Sequence, residues 1–258
     1  EDGDVIVLAN DCVSVRVDAT TGALVSATSK ALGSVRLDQQ YREYSTSRSG
    51  AYLFRPLGES ALKVSSTAKV GVVRGSVVQE VRVVGDAFQQ SVRLFGEAHA
   101  ASQARPADVR GAAGAAMGSL CVPGSIAGVI EVTHDVEAGS NKEVVTVYNT
   151  DIDAEGPFHS DNGVDMLQRP RGQSSAGVEQ RYFPMNSAAS IGASGDRVQL
   201  TVLNRQPMGV ASQRHGASAA HATLEIMLHR SLRQDDGRGL AQPATDTTRT
   251  TARTWLTV

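Results

Sequence analysis

The sequence predicts an all-β protein built as antiparallel β-sandwich, and three observations predict it. Apolar and polar residues alternate at period two wherever the chain shows a pattern, and helical periodicity is scarce. The alternating runs are short and separated by the Gly, Asp, Asn and Ser clusters that turn a chain. With 258 residues, the chain can bury one large sandwich, or such a sandwich with a smaller β-subdomain beside it.

Val13, Val15 and Val17 alternate with Ser14 and Arg16, and Asp18-Ala19-Thr20-Thr21-Gly22 then turns the chain into Ala23-Leu24-Val25. Runs over Val77–Val84, Ser91–Phe95, Ile126–Val132 and Glu143–Tyr148 read as further strands. Val198, Leu200 and Val202 mark another, as do Leu224, Ile226 and Leu228. Thr254-Trp255-Leu256-Thr257-Val258 predicts a last strand, with Trp255 packed in the core. Residues 1–96 are thus expected to supply the first strands of the sandwich, and 124–258 the remainder. Between them, 97–123 is rich in Ala and Gly and predicts a flexible insertion. A second flexible loop is expected over Gly172–Glu179.

Composition removes several function classes. Net charge is −2 and no basic stripe points to nucleic acid. No apolar run approaches the roughly 20 residues that span a bilayer, and residues 1–20 do not resemble a signal peptide. Glu1-Asp2-Gly3-Asp4 looks like an arbitrary start, as of a fragment or processed piece. Cys12 and Cys121 could pair with each other, stay as buried thiols, or pair elsewhere.

Strong catalytic motifs are missing: there is no Gly-x-Gly-x-x-Gly, P-loop, Gly-x-Ser-x-Gly or His-Glu-x-x-His. The six histidines show no tight metal-ligand spacing. His134-Asp135 fits a surface strand pair better than a metal site, and His221 and His229 lie at the two ends of one strand. Three clusters suit a neutral polyol. In Ser49-Gly50-Ala51-Tyr52-Leu53-Phe54-Arg55-Pro56, Tyr52 offers a hydroxyl on an aromatic face, against the plainer reading of a core or edge tyrosine. Phe158-His159-Ser160-Asp161-Asn162-Gly163 is a polar turn between strands, and its last three residues equally signal an ordinary hairpin. Asp235-Asp236-Gly237-Arg238-Gly239 combines carboxylate acceptors, a rigid guanidinium fork and two flexible glycines, against the plainer reading of a solvated charged turn.

In order, these clusters resemble the C-terminal β-region of the class II α-mannosidases, zinc-dependent retaining glycoside hydrolases. Ser49–Pro56 resembles the family's Ser-Gly-Ala-Tyr segment, and Phe158–Gly163 its Phe-Tyr-Thr-Asp-x-Asn-Gly turn. Arg181-Tyr182-Phe183-Pro184-Met185-Asn186 is similar to its Asn-Tyr-Tyr-Pro-[Met/Val]-Asn segment, and Arg197–Leu203 to its Arg-Leu-Thr-Leu-Leu strand. Leu224–Arg230 followed by Asp235–Gly239 resembles its Leu-Glu-[Ile/Leu]-Met-x-[His/Asp]-Arg run and the Asp-Asp-x-Arg-Gly loop beyond it. Departures are His159 for Tyr or Phe, Ser160 for Thr, and Ser231 for the second Arg of Arg-Arg-Leu. The lysosomal-like branch fits better than the Golgi branch, through Phe54-Arg55-Pro56 and Leu228-His229-Arg230.

The resemblance implies that the zinc ligands and the Asp nucleophile lie in an upstream catalytic α/β domain, which this chain does not contain. The chain is then a mainly non-catalytic portion, inactive alone, whose partners are that domain and mannose-containing glycans. Tyr52 and Arg238 would contact substrate, with Asp235, Asp236, Gly237 and Gly239 supporting their loop. The implied location is the lysosome or another secretory or vacuolar lumen. The alternative is a stand-alone carbohydrate-binding or structural β-sandwich module. A self-sufficient glycosidase using Asp161 or Asp235 is disfavoured, since these carboxylates lie on predicted turns with no aromatic platform nearby in sequence. Asp235 and Asp236 are adjacent on one turn and do not suit a retaining pair, which needs carboxyls about 5 Å apart across the scissile bond.

Overall fold

The computed structural model describes residues 4–46, 48–61, 68–96, 121, 126–171, 177–192, 198–213 and 220–258. The first 96 residues form β1 (Val5–Ala9), β2 (Val13–Asp18), β3 (Leu24–Ser29), β4 (Gly33–Thr46), β5 (Pro56–Ala61), β6 (Lys69–Arg74), β7 (Val78–Val84) and β8 (Phe88–Phe95). Beyond them come β9 (Ile130–Val136), β10 (Lys142–Asp153), β11 (Phe158–Asp161), β12 (Met166–Arg169) and β13 (Phe183–Met185). The series closes with β14 (Ala188–Gly192), β15 (Gln199–Asn204), β16 (Met208–Ala211), β17 (His221–Ser231) and β18 (Thr250–Thr257). Two short 3-10 turns, Ile126–Gly128 and Val178–Arg181, are the only helical pieces among the described residues.

The strands make two nine-stranded antiparallel sheets, as an all-β sandwich requires. The first runs β1-β2-β3-β4-β10-β17-β16-β13, with β5 also on β4, and the second runs β12-β11-β14-β15-β18-β9-β8-β7-β6. Both sheets draw strands from either side of residues 97–123, because β4 pairs with β10 and β8 with β9. Alternation decides which side chains meet between them. Val13, Val15 and Val17 of one sheet, and Phe88, Val92 and Leu94 of the other, belong to one buried cluster. Fully burying an aliphatic or aromatic side chain of this size contributes about 1.5–3 kcal/mol.

The interior also holds a hydrogen-bonded polar group. Gln90 Oε1 accepts from Gln39 Nε2 at 2.8 Å and from the Tyr41 hydroxyl at 2.5 Å, while Gln90 Nε2 donates to Gly22 O at 2.9 Å. The Tyr41 hydroxyl lies 2.7 Å from His134 Nδ1. His134 is therefore not a surface residue. The alternation of β9 turns it inward with Val132 and Val136, and burial lowers its pKa to about 3.

Three other expectations change. Trp255 is outside the core: Ala252, Thr254 and Leu256 take the buried positions of β18, so Trp255 faces outward, half-buried, donating to Glu131 Oε2 at 3.2 Å. The expected strand over Ile126–Val132 begins as a 3-10 turn and runs on to Val136. The Phe158–Gly163 turn is half strand, since Phe158–Asp161 pairs with β12 and β14 before Gly163 reverses the chain at φ 93°. The 97–123 insertion lies outside the described residues except for Cys121, which forms a disulfide with Cys12. Residues 172–176 of the second expected loop also lie outside them, and Val178–Arg181 is a 3-10 turn.

Candidate functional site

The segment joining β4 to β5 is folded by its own short polar side chains. Thr46 Oγ1 accepts from Ser49 N at 2.9 Å and donates to Arg55 O at 3.0 Å. Ser49 Oγ accepts from Arg55 N at 2.7 Å and donates to Glu143 Oε2 at 3.2 Å. Such local bonds draw Ser and Thr into loops. At the apex the chain passes so close to a second loop that only glycine fits at position 50. A Cβ there would lie 2.5 Å from Asp236 Cβ and 2.8 Å from Asp236 N. Tyr52, two residues on, is 62% exposed, which removes the core-tyrosine reading.

The second loop leaves β17 at the buried Leu232, whose N–H donates to Ala244 O at 3.0 Å. Asp235 Oδ1 accepts from Gly237 N at 2.8 Å, an Asx turn. Gly237 and Gly239 have φ of 67° and 115°, conformations that L side chains rarely adopt. Asp236 joins the two loops. Its Oδ2 accepts from Tyr52 N at 2.7 Å and Leu53 N at 2.9 Å. Desolvation pushes its carboxyl up, but backbone N–H donors from Tyr52, Leu53 and Arg238 hold it below the ordinary Asp value. One carboxylate of the loop that carries Arg238 therefore binds the backbone of Tyr52 and Leu53. The Tyr52 and Arg238 side chains are exposed.

Underneath lies a layer on the outward face of the first sheet. Arg230 and Glu143 lie in register on β17 and β10 and form an ion pair at 2.6 Å. Arg230 Nη2 also donates to Gly50 O at 3.2 Å and Leu53 O at 2.8 Å. Burial pushes the Glu143 carboxyl up, against the opposing pull of Arg230 and of the Ser49 hydroxyl. Removing one partner of such a buried pair costs about 3–5 kcal/mol, although the intact pair adds little net stability. Phe54 packs edge-on between Tyr44 and Tyr182, at centroid distances of 5.4 and 5.0 Å. Each aromatic contact contributes about 0.5–1.5 kcal/mol beyond area burial. The hydroxyls of Tyr44 and Tyr182 both donate to Glu225 Oε1. Burial, and then the charge of Glu225, raises the Tyr182 pKa well above the ordinary value.

The structure thus brings Tyr52, Asp235, Asp236, Gly237, Arg238 and Gly239 to one ridge. The 158–163 turn does other work. Asp161 accepts from Ser187 N at 2.8 Å, Ala188 N at 2.9 Å and Ser187 Oγ at 2.9 Å, so it fastens the turn between β13 and β14. Residues missed as site builders are Glu143, Glu225, Arg230 and Tyr182. Glu143 carried a readable signal, a lone carboxylate beginning the apolar run Glu143-Val144-Val145. Such a residue is rarely buried without a partner. Among the described residues, no three His, Cys, Asp or Glu side chains gather as a metal site.

Comparison with known proteins agrees with this architecture. The model of the glycosyl hydrolases family 38 C-terminal domain matches residues 8–238. Alpha-mannosidase 2 of Arabidopsis thaliana is 31% identical over 95% of this chain and 19% of that protein. The lysosomal alpha-mannosidase of Dictyostelium discoideum is 28% identical over 95% of the chain and 23% of its own length. The human lysosomal alpha-mannosidase is 32% identical over 76% of the chain and 17% of its length. The chain thus spans about a fifth of these curated relatives. An alpha-mannosidase structure from Enterococcus faecalis V583 superposes with a TM-score of 0.64 at 12% identity, covering all of this chain and 30% of that one, a likeness of fold. With nearly its whole length matched by the family model, the chain belongs to the glycosyl hydrolases family 38 C-terminal domain family.

Proposed function

We propose that this chain is the C-terminal, mainly non-catalytic portion of a retaining α-mannosidase that hydrolyses terminal α-mannosyl residues of glycans. In this reading Tyr52 and Arg238 form part of the active-site wall. The nucleophile, the acid and the zinc ligands belong to an upstream domain of the same protein. Zinc there would hold the sugar hydroxyls. The role of this chain is to present a phenol and a guanidinium at fixed positions, the phenol to hydroxyls and the guanidinium to hydroxyls or carboxylates. The supporting observation is the Asp236 carboxylate, which ties the loop carrying Arg238 to the backbone of Tyr52 and Leu53 while the Tyr52 and Arg238 side chains stay in solvent. Family membership supplies the reaction class. The Cys12–Cys121 disulfide favours an oxidising compartment, in keeping with a lysosomal, secretory or vacuolar lumen.

Kinetics of the intact enzyme and of this chain test the proposal. Tyr52→Phe should lower kcat/KM on an aryl α-mannoside about 2- to 10-fold, the size of one neutral hydrogen bond. Residues 1–258 alone should show no hydrolysis with added zinc. Zinc-dependent cleavage by the isolated chain would overturn the division of labour.

A further inference from the structure

Tyr52 is held from two sides, and the second hold is one that a substrate-binding loop alone does not require. Asp236 takes the N–H groups of Tyr52 and Leu53. From the sheet below, Arg230 takes the carbonyls of Gly50 and Leu53, which bracket the same residue. The guanidinium reaches both while also paired with Glu143, a fully buried carboxylate fixed on its other oxygen by Ser49. Apolar residues would fill this space at lower desolvation cost, so burying a charge pair here is not explained by stability. What the pair does supply is direction. A planar fork anchored at one end sets the orientation of the Gly50–Ala51 and Leu53–Phe54 peptide groups, one on each side of Tyr52.

We propose that Arg230, locked by Glu143, is a positioning residue that acts through Tyr52. The inference rests on the reading that Tyr52 contacts substrate. Small misplacements of such a group are costly, since about 1 Å can lower turnover on the order of 100-fold. Lysine cannot replace Arg230, because an ammonium lacks the fixed fork that serves a carboxylate and two carbonyls together.

A double-mutant cycle in the intact α-mannosidase tests this, with kcat/KM measured on an aryl α-mannoside. Arg230→Lys should lower kcat/KM by no more than Tyr52→Ala does, and the double variant should match Tyr52→Ala within about 2-fold. Glu143→Gln, which keeps shape and an acceptor for Arg230, should show the same non-additivity and serves if Arg230→Lys does not fold. Independent, multiplying losses would overturn the inference while leaving the role of Tyr52 intact. So would wild-type kinetics in well-folded Arg230→Lys beside an impaired Tyr52→Ala. Wild-type kinetics in Tyr52→Ala would instead overturn the substrate-contact reading on which the inference rests.

Discussion

Individual side chains divide into those offered to solvent and those that hold them there. Tyr52 and Arg238 are offered, while Asp236, Ser49, Glu143 and Arg230 bind backbone or one another. Adjacent carboxylates at 235 and 236 could suggest an acid/base pair, but both are engaged in loop hydrogen bonds. Gly50 is the tightest point, because the Asp236 backbone and side chain occupy the place of its Cβ. Gly50→Ala should therefore push the two loops apart. We expect a loss of about 1–3 kcal/mol, typical of overpacking, seen as a lowered melting temperature together with reduced kcat/KM. An unchanged melting temperature would mean that the loops do not meet as described. The motif residues were legible in the sequence, but their partnerships were not. Asp236 and Tyr52 are 184 positions apart, and no local pattern reports such a contact.

At the scale of the element, legibility followed the simplicity of the alternation. β2, β15 and β17 carry apolar residues at alternate positions, and each was visible. The longest strand, β4, was not. Its inward face includes Gln39 and Tyr41 and its outward face Asp38, Gln40 and Arg42, so polarity does not distinguish the two sides. Only the polar group between the sheets explains why Gln39 is buried. The β11–β12 hairpin was legible from Asn162-Gly163, whereas the function of Asp161 was not. Burial raises the Asp161 pKa, but donors from Ala188, Ser187 and Gly163 outweigh it and leave the carboxyl below its ordinary value. Its contribution to stability is therefore present above the ordinary Asp range and lost as pH falls through its lowered folded pKa. Asp161→Asn should weaken folding at pH 6, and the gap from wild type should shrink as the medium is acidified below pH 3.8. Denaturant titrations of the chain at the two acidities would show this, and a gap independent of pH would contradict it.

For the whole molecule, interleaving matters most. β4, β10 and β17 lie side by side although they come from three distant parts of the chain, and their ends carry the Tyr52 loop, Glu143 and the Arg238 loop to one place. The disulfide joins Cys12 to Cys121 across 109 residues. Closing a loop of that length contributes about 4–5 kcal/mol in the chain-entropy account. That helps hold sheets whose pairings are largely non-local. The fold class was readable because period two pervades the sequence. The ridge became readable only with the strand order, which decides which loops are neighbours. Our proposal that this ridge serves substrate in the complete enzyme stands or falls with Arg238. The deciding measurement is kcat/KM of intact Arg238→Ala on an aryl α-mannoside, taken with its melting temperature. We expect a loss of about 10- to 150-fold, the size of a charge-assisted hydrogen bond, with the melting temperature unchanged. Near-wild-type kinetics in the well-folded variant would contradict it.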